Sequence, residues 1–158
     1  MIVSLKKEEF ERLVERRREL WYIDSSIRVG KSSIPVNRQQ ICMSSPYFRH
    51  LLSSKFSKEA ELPLPATSPI VVEMLVGALT MGVLAVPLDY SLGGWMELAQ
   101  LTDYFCLNGL KSACEAQLCS KVSQDNYQEL ERLAEEVDMP NLSLYCASYV
   151  LKSQLLAE

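Results

Sequence analysis

The side chains best able to do chemistry in this sequence are a single histidine, His50, and five cysteines, Cys42, Cys106, Cys114, Cys119 and Cys146. A general base must lie within hydrogen-bond reach of the group it serves and is usually oriented by a carboxylate. His50 has no carboxylate three or four residues away on the helix its neighbours predict, and it reads as a surface or groove histidine. Zinc needs several Cys or His ligands at short spacings; one histidine and no CxxC pair do not supply them. The cysteines are odd in number and mostly set among apolar neighbours, a pattern of buried free thiols in a reducing compartment rather than of a disulfide framework. No GxSxG elbow, phosphate-binding loop, GxGxxG fingerprint or HExxH pair occurs. Gly93-Gly94 reads as a flexible entry into a helix. Glu135-Glu136-Asp138 reads as a solvated acidic helix end, because hard-cation sites draw their ligands from a tightly turned loop. The chain is therefore expected to be non-enzymatic, with neither cofactor nor metal.

The totals point the same way. At 158 residues and 48% apolar, the chain can bury a real core and suits one domain, or one domain with an appendage. A net charge of −4 argues against a general grip on nucleic acid or anionic lipid, which needs a one-sided basic surface. Arg16-Arg17-Arg18 is surrounded by Glu8, Glu9, Glu11, Glu15 and Glu19 and reads as a solvated mixed-charge face. The longest apolar runs are broken by Glu73, Gly77, Thr80 or Gly82, and no apolar signal core opens the chain. A cytosolic or nuclear protein without membrane contact is expected.

The predicted elements follow from periodicity and caps. Phe10, Leu13, Val14 and Leu20 share one stripe of a charged helix from Leu5 to Leu20, which needs something to lie on. Trp21 to Val29 and Ser32 to Val36 read as two strands around a Gly30-Lys31 turn, with Pro35 placing the second near an edge. Ser45-Pro46 is a helix start: the residue before proline is pushed to extended backbone, as an N-cap requires, and proline at the first helical position loses no hydrogen bond. Short helices are predicted at Arg38 to Met43 and Pro46 to Ser53. Ser68-Pro69 repeats the device ahead of a buried helix ending near Met81. Ala60 to Pro65 reads as extended and Val83 to Leu88 as a strand. The second half reads as helical: Gly93-Gly94 before a helix through Trp95, Leu98 and Phe105; Asn108-Gly109 as a left-handed cap; a helix with Leu110, Cys114 and Leu118 on its apolar face; Asn126 with Glu129 as a capping box; and Pro140 opening a last helix through Leu142, Tyr145, Cys146 and Tyr149.

Taken in order, strand, Gly-Lys turn, strand, Val36-Asn37-Arg38, a short helix, Ser45-Pro46-Tyr47-Phe48, Glu61-Leu62-Pro63 and a buried helix ending in Thr80-Met81-Gly82 resemble a BTB/POZ domain. That family carries an A-H-R, S-P-Y-F, E-L-P and Y-T-G series; Asn37 stands for the histidine, and Thr80-Met81 for the tyrosine and threonine. The resemblance covers roughly residues 24–122, and Asn126 to Lys152 resemble the start of the BACK or 3-box region that often follows. It implies an α+β, mostly helical fold in which a small sheet is flanked by helices. Three segments result: an N-terminal dimer or exchange helix over 1–20, the BTB/POZ domain over 21–122 and a helical extension over 123–158.

The activity the resemblance implies is association, with a second copy or another BTB protein, and in some members docking of a cullin scaffold. It places Phe10, Leu13, Val14, Leu20, Trp21, Ile23, Asp24 and Arg38 at a dimer interface, Asp24 and Arg38 near the axis. The first helix suits exchange between subunits, although intramolecular packing would also cover its stripe. Cullin-binding members carry, after the S-P-Y-F helix, a bulky apolar residue followed two positions later by glutamate. Here the run is Phe56-Ser57-Lys58-Glu59, so the knob is present, a lysine stands at the acidic position and the acid comes one residue later. Phe56, Ser57, Lys58 and Tyr104 are the residues the resemblance assigns to that docking.

Overall fold

The β2–β3 hairpin shows how directly local chemistry becomes structure. In the computed structural model, which describes residues 2–20, 22–52, 59–61 and 68–157, β2 (Ser25–Val29) and β3 (Ser32–Val36) pair antiparallel with Val29 opposite Ser32. The two-residue turn between them needs a positive φ, which Gly30 supplies at 60°. Ile27 and Val29, Ile34 and Val36 alternate into the core. A third strand, β4 (Glu59–Glu61), joins β2 in parallel, giving the order β3-β2-β4. It takes up the start of the extended segment expected from Ala60; Leu62 to Pro65 lie outside the described residues.

One strand was not anticipated. Ile2–Leu5 forms β1, which pairs in parallel with β5 (Leu84–Pro87), and the first helix, α1, runs from Lys7 to Leu20 rather than from Leu5. A four-residue strand has too little pattern of its own, and its partner lies some eighty residues away.

The short helices begin as their caps dictate. Asn37 Oδ1 accepts the N–H of Gln40 at 3.0 Å to start α2 (Arg38–Ser44). Ser45 then serves two helices at once: its N–H donates to the Ile41 carbonyl at 3.1 Å, closing α2, and its hydroxyl accepts from Phe48 N–H at 3.4 Å, opening α3 (Pro46–Leu51). Helix α4 (Pro69–Met81) is buried over nearly its whole length and stops at Gly82, whose N–H still donates to the Ala78 carbonyl at 2.9 Å while its φ of 72° turns the following chain out of the helix.

Packing divides the chain into two compact units, the second beginning at Ser91. The second contains α5 (Leu92–Tyr104), α6 (Asn108–Cys119), α7 (Tyr127–Glu136) and α8 (Pro140–Ala157), with α5 on α6, α7 on α8 and α6 on α8. Trp95, Leu98, Phe105, Cys114, Leu118, Leu130, Leu133, Leu142 and Cys146 are buried.

Three local expectations are corrected here. Gly93-Gly94 do not precede α5 but lie in its first turn, because Ser91 Oγ already accepts from Gly94 N–H at 3.0 Å. Asn108-Gly109 open α6; the left-handed residue is Cys106, at φ 57°, and Leu107 N–H closes back on the Thr102 carbonyl at 2.8 Å. Asn126 makes no side-chain cap bond to α7 and instead turns back, accepting from Ser123 N–H and donating to the Lys121 carbonyl. The last helix runs through Leu142, Tyr145, Cys146 and Tyr149 as expected, with Leu142 and Cys146 on its buried face and Tyr145 exposed.

Candidate functional site

The described residues assigned to association lie on α1, on the segment that leads into the sheet and, for Arg38, at the start of α2. Phe10 is buried, while Leu13 and Val14 are half-buried, and together they line the seam between α1 and α4 with Met74 and Gly77. Beside it a groove of about 420 Å³ opens between α1, β3 and the start of α4, floored by Phe10, Val14, Ile34 and Ile70 and rimmed by Glu11 and Glu15. Ile23 is half-buried. Trp21, the side chain of Leu20, and Phe56, Ser57 and Lys58 lie outside the described residues.

Asp24 and Arg38 are brought together, though by the backbone: Asp24 Oδ1 accepts the Arg38 N–H at 2.8 Å, at the entrance to α2. The Arg38 guanidinium donates to the Leu52 carbonyl at the end of α3. A carboxylate at the first amides of a helix and a cation at a terminal carbonyl both suit the charge that helix ends carry. Cys42, next in this layer, has its thiol pushed up by burial, against the pull of Arg38 and Arg49.

Tyr47 and Phe48 pack edge to face, with ring centroids 5.6 Å apart, and Phe48 is wholly buried, so the S-P-Y-F run anchors α3 in the core. Tyr104, on α5, is 40% exposed and stands edge-on to Phe105.

One member of the charged cluster expected in solvent is buried instead: Arg17 is enclosed, while Arg16 and Arg18 stay exposed. Arg17 is 2% exposed, and its guanidinium donates to the Pro35 carbonyl at 3.1 Å and to Glu73 of α4, while Arg18 Nη2 reaches the second Glu73 oxygen at 2.9 Å. The signal was present in the spacing: Arg17 lies seven residues after Phe10, four after Leu13 and three after Val14, which puts it on the apolar stripe. Glu73, read as an interruption of an apolar run, is the other half of the arrangement.

Cysteine burial is mixed. Cys114 and Cys146 are buried and Cys42 and Cys119 half-buried, while Cys106 is exposed and departs from the expectation of buried thiols. Among the described residues no helix is long and apolar enough to cross a membrane.

Comparison with known proteins agrees with this arrangement. The chain is 31% identical over 121 residues to Kelch-like protein 38 of Rattus norvegicus, an alignment covering 75% of this chain and 20% of that protein. It is 23% identical over 131 residues to human Kelch-like protein 41, covering 82% of this chain and 21% of the relative. The chain thus spans about a fifth of the length of these relatives. Among solved structures, the BTB domain of human Gigaxonin superposes with a TM-score of 0.51 at 19% identity, covering 72% of this chain and 94% of that domain. With strands and helices in the order described, and the family model for the BTB/POZ domain matching residues 13–122, the chain belongs to the BTB/POZ family of protein-interaction modules.

Proposed function

We propose that this chain is a self-associating adaptor module that joins another part of its polypeptide to a cullin-type ubiquitin ligase inside the cell. The observation that carries this reading is the match to Kelch-like relatives over three quarters or more of the chain. The half-closed stripe of Leu13 and Val14 supports a second copy as the first partner, since apolar side chains left partly in water gain by further burial. Phe56 with Ser57, Lys58 and the exposed Tyr104 is the proposed cullin contact. Residues 123–158 are proposed as the start of a helical extension that widens it.

A cullin-independent scaffold is the second reading, and one observation favours it: Lys58 stands where cullin-binding members carry an acid, and a reversed charge changes what a partner meets. Two measurements test these readings, the first their shared self-association and the second the cullin contact that divides them. Light scattering over a concentration range should give a dimer that Leu13→Glu dissociates; a strictly monomeric wild-type chain would defeat self-association. Immobilised chain should retain a cullin and lose it on Phe56→Ala. No retention by the unmutated chain leaves the scaffold reading in place and removes the ligase.

A further inference from the structure

Among the described side chains of its apolar stripe, helix α1 buries Phe10 fully and leaves Leu13 and Val14 partly exposed. Where the stripe continues, Arg17 takes the place of an apolar side chain and is as buried as the core. Its Nη1 holds the Pro35 carbonyl of β3, its Nη2 holds one oxygen of Glu73, and Arg18 holds the other. Arg17 Nε is buried with no hydrogen-bond partner among the described residues. Charges withdrawn from water in this way add little net stability, because desolvation offsets their attraction. Leaving one of them buried without the others is strongly disfavoured. An apolar seam tolerates rotation and sliding; a carboxylate shared by two guanidinium groups admits one rotation and one register.

We propose that Glu73 is the selector for the N-terminal arm: the surface of α4 and β3 accepts a β1–α1 segment only when it presents arginine at position 17, with the more exposed Arg18 adding a second donor to the same carboxylate. The occupant is this chain's own arm, seated on that surface by these contacts, and an arm from a second copy is an outcome the test separates. The extension to a second copy rests on the self-association reading; the selection itself does not. Such a clamp restricts partners as well as register, because an arm with an apolar or acidic residue at position 17 leaves Glu73 buried without its enclosed counter-charge.

Hydrogen exchange by mass spectrometry on the full chain tests this. Glu73→Lys alone, and Arg17→Glu with Arg18→Glu, should each speed exchange of the β1 and α1 amides by about tenfold or more, while the β2–β3 hairpin and α5 to α8 keep wild-type protection. The chain carrying all three reversals should regain most of the arm's protection. Glu73→Gln, which keeps the shape and removes the charge, should also loosen the arm, and serves if Glu73→Lys does not fold. Wild-type arm protection in Glu73→Gln, or no recovery in the triple variant while the hairpin stays protected, overturns the proposal. Light scattering on the same samples separates the two questions: a monomer whose arm follows these rules defeats self-association and leaves the clamp standing.

Discussion

Glu115 of α6 accepts the backbone N–H groups of Asn141 and Leu142 at 2.9 and 3.2 Å, and its other oxygen accepts the Asn141 side-chain amide at 3.0 Å. The first amides of a helix have no partner within it, and α8 begins at Pro140. Its cap therefore comes from a helix 26 residues earlier, which ties α6 to α8.

Removing that cap should loosen the second unit. Glu115→Ala is expected to lower stability by about 1–3 kcal/mol, the range for stranding buried donors, and Glu115→Gln by less, because an amide oxygen still accepts one bond. Thermal unfolding followed by circular dichroism checks the order; equal stability of the wild type and Glu115→Ala would refute it.

The α2–α3 junction carries a second prediction. Phe48→Ala empties a fully buried aromatic site and should cost about 3–5 kcal/mol. Ser45→Ala removes only the hydroxyl acceptor at the start of α3 and should cost about 1 kcal/mol. Urea midpoints at constant slope give both numbers.

Thiol ionisation should tilt stability at alkaline pH. Burial pushes the Cys114 thiol from 9.0 up to about 12, and burial is also the leading cause of the upward shifts of Cys42, Cys119 and Cys146. Below pH 9.0 folded and unfolded chains both hold the Cys114 proton; above it the unfolded chain loses the proton first, so stability falls as pH rises toward 12. One such group contributes a slope of at most about 1.4 kcal/mol per pH unit. Urea midpoints at pH 8, 9 and 10, roughly spanning the onset of this ionisation, should drop less steeply in Cys114→Ala than in the wild type. Alkylation near pH 8, about where an ordinary thiol begins to ionise, should label exposed Cys106 first and Cys114 last.

Cys106 also holds a left-handed backbone that costs a side-chain-bearing residue roughly 1 kcal/mol. Cys106→Gly should therefore stabilise the chain by up to about 1 kcal/mol, offset in part by the added freedom of the unfolded state. Gly82→Ala, at a φ of 72°, should do the reverse. Melting temperatures of the pair test the sign of each.

What could be read from the sequence was what neighbouring residues decide among themselves. The Ser45-Pro46 start, the Gly30-Lys31 turn and the buried face of α6 at Cys114 and Leu118 all emerged as expected, since each depends on a few nearby side chains. The BTB/POZ fold followed from their order. Pairings across long separations did not emerge. Arg17 was taken for a solvated charge because its partner Glu73 is 56 positions away, and β1 went unseen because β5 completes it. Asn108-Gly109 misled for a different reason: the residue pair that most favours a left-handed turn was present, and the turn formed two residues earlier at a cysteine. The docking residues Phe56, Ser57 and Lys58 fall outside the described residues, so that part of the site rests on the sequence.

The position of β3 at the rim of its sheet has a further consequence for solubility. An outer strand offers a ladder of open amides and carbonyls on which other chains can template, the usual route to edge-on aggregation. Pro35 has no amide to offer, and its carbonyl is already held by Arg17. The same arginine that seats the arm thus blunts the rim, so a chain whose arm has come loose would expose a docking surface and a sticky edge together.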